Sequence, residues 1–183
     1  MSIEKMKTCL ALLEKHGVPQ NIMDHSLKVN EVAMYLSRKL QESGTHVNLG
    51  LVNDASLLHD IDKHRTLNDN SNHGTISEQI LLEEGISAEI AACVRKHHLN
   101  TILNEKPFDT IEEKIVYYSD KRVMHDKIVS LDERFQYLKK RYGNINEKVL
   151  QTIIQAEPKV KELEDEIFKN LKISRELDEL KNE

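Results

Sequence analysis

Along this chain, apolar residues recur with the spacing of helix faces rather than strands. Residues 2–16 alternate charged and apolar positions as an amphipathic helix that stops at Gly17-Val18-Pro19. From Pro19 to about Ser43, Ile22, Val29, Val32, Ala33, Leu36 and Leu40 fall on one helical stripe, and Gly44 ends it. A third helix is expected from about Asn48 to Ile61, followed by the polar loop TLNDNSNHG. Ser/Thr-x-x-Glu capping boxes at Thr75–Glu78, Thr110–Glu113 and Ser130–Glu133 predict three further helix starts, since each satisfies free backbone N–H groups from both ends of the motif. Ser87 predicts a cap for a helix running to His98. Pro158, suited to a first turn, predicts the start of a last helix with Val160, Leu163, Ile167 and Leu171 on one face. That face either packs within the chain or pairs with another subunit. The tail from residue 172 is mostly charged and is expected to fray. No internal repeat or low-complexity linker divides the chain.

Composition agrees with an all-α chain. There are only six glycines, three prolines and no tryptophan in 183 residues, and aromatics are 4%. The net charge of −5 gives no footprint for generic nucleic-acid binding. No apolar run approaches the roughly 18 residues of a membrane span, and the charged N-terminus does not read as a secretory signal. Cys9 and Cys93 lack a CxxC spacing and read as reduced core thiols, which predicts a cytoplasmic protein.

The chemistry lies in polar residues that occupy core positions. His25 sits on the buried stripe between Ile22 and Val29. His97 and His98 follow Val94 by three and four residues, and Asp120 shares a face with Val116, Val123 and Met124. In "LLHDIDKHRT", residues 57–66, His59 and Asp60 close an apolar run. His73 stands at a helix entrance. A lone histidine on an apolar face is ordinarily a hydrogen-bonded core residue, and the His125-Asp126 pair reads as a partly solvated helix face. Jointly, these residues make a different case. A metal ion, or a pair, replaces the hydration lost by several buried imidazoles and carboxylates at once.

The series His25, His59-Asp60, His73, His97-His98 and Asp120, with "HDIDK" and "IVYYSDKRV" around the aspartates, resembles the HD-domain superfamily of metal-dependent phosphohydrolases over about residues 19–125. Asp62 stands where glycine is common in the HDIG-like variant. The chain is expected to form one helical domain, 1–183: the resemblance implies an HD helical bundle over about 19–125, and a C-terminal helical extension over about 130–171 lies beyond its motifs. The resemblance implies that His25, His59, Asp60 and Asp120 hold one metal. Asp60 would bridge to a second ion held by His73 and by His97 or His98. Fe, Mn, Zn, Co and Ni suit such a donor set about equally. The implied activity is cleavage of a phosphate monoester or phosphodiester, on a small and nucleotide-like substrate, by a metal-activated hydroxide. Asp60 and Lys63 would be the catalytic pair.

A helix continuing past Asp60 would put Lys63 on the metal side, where it would bind phosphate. His98, Lys121 and Arg122 are further candidates for substrate contact, with a surface salt bridge the competing reading for the last two. A di-iron oxygenase and a non-catalytic metal- or nucleotide-binding module are the alternatives. Monomer and homodimer both stay open.

Overall fold

The computed structural model describes residues 3–66, 73–143 and 146–181; the side chains of residues 3–5, 66 and 73 lie outside the description. Helices α1 (Ile3–Lys15), α2 (Gln20–Glu42) and α3 (Leu49–Leu58) come first, then the short α4 (Lys63–Thr66). Next are α5 (His73–Glu83), α6 (Ala88–Arg95), a 3-10 turn (Leu99–Leu103) and α7 (Ile111–Lys121). A two-residue hairpin, β1 (Val123–Met124) and β2 (Lys127–Ile128), leads to α8 (Leu131–Tyr142), α9 (Glu147–Phe168) and α10 (Asp178–Lys181). The fold is all-α. No described helix is long and apolar enough to cross a membrane.

The expected boundaries hold where the end chemistry is local. Gly44 takes φ 91°, and its N–H and that of Thr45 close onto the Gln41 and Leu40 carbonyls at 2.9 Å each, ending α2 with a left-handed residue that lacks a Cβ. Thr110 and Ser130 both form the complete reciprocal capping box with Glu113 and Glu133. Ser87 caps α6 by accepting from the Ile90 N–H.

Five expectations are corrected. The helix containing Thr75 begins at His73, so Thr75 lies inside α5 and is no cap. Gly74 fits there because a Cβ would meet the Arg95 carbonyl oxygen at 2.5 Å. Helix α6 stops at Arg95, short of His98, and α3 stops at Leu58 before a turn over 59–62. Pro158 lies within α9, which starts eleven residues earlier at Glu147. His125-Asp126 is the hairpin turn rather than a helix face; His125 has φ 58°, and Val123 pairs with Ile128.

The core is built around α2, which packs on α3 and α7; α3 in turn meets α1 and α6. Helix α9 lies across α7, α8 and the 3-10 turn, burying Val160, Leu163 and Ile167 within the chain. Each such side chain contributes about 1.5–3 kcal/mol of burial. The charged tail is tied down by Leu177, which is 1% exposed. This framework brings the inner face of α2, the end of α3, the turn after α6 and the end of α7 to one place.

Candidate metal centre

His25 comes from the second turn of α2, and its position between Ile22 and Val29 turns the imidazole inward. His59 follows the last residue of α3, with Leu57 and Leu58 fully buried behind it. The chain then turns tightly: the Ile61 N–H bonds the Leu58 carbonyl and the Lys63 N–H bonds the Asp60 carbonyl, each at 3.1 Å. His97 lies in the turn after α6, and Asp120 in the last turn of α7. All five side chains are buried.

Their donor atoms converge. Asp120 Oδ1 lies 3.1 Å from His25 Nε2 and 3.7 Å from His59 Nε2. Asp60 faces both sides: its Oδ2 is 3.4 Å from His59 Nε2 and 3.8 Å from His25 Nε2, while its Oδ1 is 3.6 Å from His97 Nε2. The donors of His25, His59 and Asp120 all lie within 4.8 Å of one another.

Each imidazole is oriented from behind. His25 Nδ1–H donates to the His125 carbonyl at 2.7 Å, His59 Nδ1–H to the Ser56 carbonyl at 2.8 Å, and His97 Nδ1–H to the Val94 carbonyl at 2.6 Å. A backbone carbonyl can only accept, so these bonds fix the tautomer and leave each Nε2 lone pair facing the carboxylates. A lone pair facing a carboxylate oxygen is repelled unless a proton or a metal ion lies between them. His59 Nε2 is the sharpest case, being fully buried with no hydrogen bond among the described residues. Burial opposes charge on His59, yet Asp60 and Asp120 outweigh it and raise its pKa to about 9. Burial would likewise raise Asp120, but Lys121, His25 and His59 hold its carboxyl well below the usual carboxylate range. This donor set fits a divalent transition metal.

The sequence candidates divide accordingly. His25, His59, Asp60, His97 and Asp120 come together. His73 begins α5, and its side chain lies outside the described residues. His98 is half-buried, with Nδ1 2.7 Å from Asn100 Oδ1, and lines a cleft of about 170 Å³ with Asp60, Lys63 and Lys121. Lys63 reaches Asp60 Oδ2, although the helix is broken between them. Burial opposes charge on this lysine, and Asp60 and Asp120 more than restore it, so its pKa is raised.

Two placements differ from expectation. Lys121 is no surface residue: it is 4% exposed, bonded to Asp120 and, at 2.8 Å, to the His97 carbonyl, with the Tyr117 ring 4.5 Å away. Arg122 points away from the centre. Its Nε donates to the Val129 carbonyl at 2.7 Å and its Nη1 to Tyr118 and to Glu164 at 3.2 Å, so it pins α7 to α9. Asp62 is buried and accepts from the Ser77 hydroxyl at 2.7 Å, joining the turn to α5.

Sequence reasoning missed the contribution of α8. A second cleft of about 380 Å³ opens beside His25, Asp60 and Lys63, and its far wall includes Arg134, Tyr137 and Arg141. Their i, i+3, i+7 spacing after the Ser130 cap is the signal that could have revealed a shared face.

The chain was compared with known proteins. It is 29% identical over 165 residues, 84% of this chain and 94% of the relative, to a protein of Methanocaldococcus jannaschii whose name assigns no function. It is 31% identical over 136 residues to a tRNA (cytidine(56)-2'-O)-methyltransferase of Thermoplasma volcanium, covering 68% of this chain and 38% of the enzyme. With ribonuclease Y of Fusobacterium nucleatum it shares 26% identity over 120 residues, 66% of this chain and 22% of that protein. The chain thus spans well under half the length of either named enzyme. No solved structure matches it significantly. Residues 22–125 match the HD domain model, a stretch that contains every one of the converging histidines and aspartates, and the chain belongs to the HD-domain family, which is typical of metal-dependent phosphohydrolases.

Proposed function

We propose that this protein is a metal-dependent phosphohydrolase that cleaves a phosphate monoester or phosphodiester of a nucleotide. The observation that carries the reading is the two-sided seat of Asp60, with His25 and His59 against one oxygen and His97 against the other, beside a cleft that holds Lys63. His25, His59, Asp60 and Asp120 are suited to one ion; His97 and His73 are the candidates to complete a second around the far oxygen of Asp60.

A bound divalent metal supplies an acidified water and positive charge against the phosphoryl oxygens. The chain's own residues do the rest. The three backbone carbonyls behind the imidazoles keep the donors facing inward, and the ion pair of Lys121 fixes the Asp120 carboxylate. Lys63, anchored on Asp60 at the cleft, presents an ammonium to an anionic substrate. The nucleotide assignment draws on the names of two relatives, a ribonuclease and a tRNA-modifying enzyme. The net charge of −5 favours a small phosphorylated compound over a long polyanion.

The test is elemental analysis of protein purified without chelator, then a panel of phosphomonoesters and phosphodiesters assayed without air. Phosphate or nucleoside monophosphate released with Mn²⁺ or Co²⁺ under anaerobic conditions is the expected result. Turnover that requires both iron and O₂ would replace this reading with the oxygenase one, because hydrolysis needs no change of oxidation state.

A further inference from the structure

Helix α8 lies beyond residue 125, where the family match ends, yet it forms a wall of both clefts beside the metal centre. Arg134 is common to the two, together with Asp60 and Lys63. Its guanidinium makes no ion pair with any described residue, unlike Lys63 and Lys121, each of which rests on a carboxylate. Its Nε is buried and has no hydrogen bond among the described residues. A buried guanidinium N–H without an acceptor, set among other cations, is unfavourable on its own and favourable once an anion enters.

Further along the same helix face the character changes. The Arg134 guanidinium lies 5.9 Å from the Tyr137 ring centre; Arg141 lies 5.7 Å from Tyr137 and 5.4 Å from Tyr142, and also bonds the Tyr137 hydroxyl. Guanidinium planes and phenol rings side by side make a surface for a flat, electron-rich group. The adjoining space of about 380 Å³ falls within the roughly 300–1,000 Å³ of clefts that hold small ligands.

Resting on the phosphohydrolase reading, we infer that α8 is the substrate-recognition helix: Arg134 binds the phosphate, and the Tyr137–Arg141–Tyr142 surface takes the base of a nucleoside monophosphate. Arg134 lies at the inner end of this face, next to Asp60 and Lys63, so the phosphate meets the metal side and the base lies outward. A simple phosphorylated sugar fills only the inner half of this site.

The experiment measures 5′-AMP and ribose 5-phosphate, both by calorimetric binding to the metal-loaded full chain and by phosphate release. Arg134→Gln is expected to weaken both ligands by about 10- to 100-fold, the scale of one lost charge-assisted pair, with metal content unchanged. Arg134→Lys should recover part of that loss. Tyr142→Ala is expected to weaken 5′-AMP selectively and leave ribose 5-phosphate as it was. The inference is overturned if wild-type protein binds no 5′-AMP, if Arg134→Gln binds it as tightly as wild type, or if Arg134→Gln strips the metal. Wild-type protein that binds 5′-AMP but hydrolyses no member of the phosphomonoester and phosphodiester panel overturns the phosphohydrolase reading, while the calorimetry still decides the role of Arg134.

Discussion

The imidazole of His25 is held by the carbonyl oxygen of His125, 2.7 Å away and one hundred residues further along the chain. That carbonyl belongs to the hairpin turn, where His125 adopts φ 58°. Histidine tolerates this left-handed conformation better than most residues, and β-branched residues tolerate it worst. The orientation of a metal-site histidine on α2 therefore depends on a turn conformation next to α7.

His125→Val is expected to destabilise the protein by about 1–2 kcal/mol, the penalty for a left-handed β-branched residue. It should also weaken metal binding roughly 10- to 100-fold, as loss of an orienting partner does. His125→Gly keeps the backbone carbonyl and fits the conformation, so it should retain the metal. Thermal melts and metal titration of the two variants check this. Equal metal affinity in Val and Gly variants would show that the turn does not govern His25.

The inward positions of His25 and Asp120 were legible because each interrupts an apolar stripe, and a stripe fixes direction once the helix is known. Choosing His97 over His98 was not legible in the same way. Helix α6 ends at Arg95, so the helical offset from Val94 no longer describes either residue. Lys121 and Arg122 looked alike in sequence as neighbours of an aspartate. They part because successive side chains at the end of α7 leave in different directions, one toward Asp120 and the other toward Glu164. Arg134 was invisible for another reason. Nothing in a charged, amphipathic helix tells which of its arginines will lack a partner; only packing against the centre decides that.

The C-terminal tail offers a pH test. Tyr35 on α2 is pushed up to about 12 by burial, and then by its hydrogen bond to and the charge of Glu179 on α10. Its folded value exceeds the ordinary phenol value of about 10, so the neutral form is the one the fold favours. That contribution is complete below about pH 10 and is lost as pH rises through about 12. Difference spectra of wild type against Tyr35→Phe should show the missing phenol ionising near 12, and Glu179→Gln should move it back toward the ordinary value. A Tyr35 that already ionises normally in the wild-type protein would mean the tail is not docked there.

Pro158 interrupts α9 from within. It offers no N–H to the carbonyl of Ile154, and its ring crowds that same carbonyl; Ile154 is 45% exposed, so water can serve the carbonyl instead. Val160, Leu163 and Ile167 hold the helix in place past the proline by burial against the core. Pro158→Ala is therefore expected to stabilise the chain by about 1–3 kcal/mol, raising the melting temperature by roughly 2–4 °C for each kcal/mol. Metal content should not change, because α9 contributes no donor among the described residues. A lower melting temperature would show that the proline contributes to packing.

Lys63 and Asp60 form an ion pair at the edge of the cleft, and the two residues should fail in different ways. Asp60 presents oxygens to three histidines, so Asp60→Ala is expected to lower metal content sharply while leaving most of the helicity, which is carried by distant packing. Lys63 has no lone pair to offer while it is charged, and Asp60 and Asp120 keep it charged. Its removal takes away a cation beside the substrate without removing a donor. Lys63→Ala should keep the metal and lose roughly 10- to 1000-fold in turnover, the range for deleting one group that meets charge developing in the transition state. Elemental analysis and steady-state rates on the same preparations separate the two roles. If Lys63→Ala loses metal in step with activity, the lysine serves to hold Asp60 in place; if turnover is undiminished, its charge only balances the carboxylate. Retained metal with a depressed rate, set against the metal-depleted Asp60→Ala protein, assigns the lysine to the substrate.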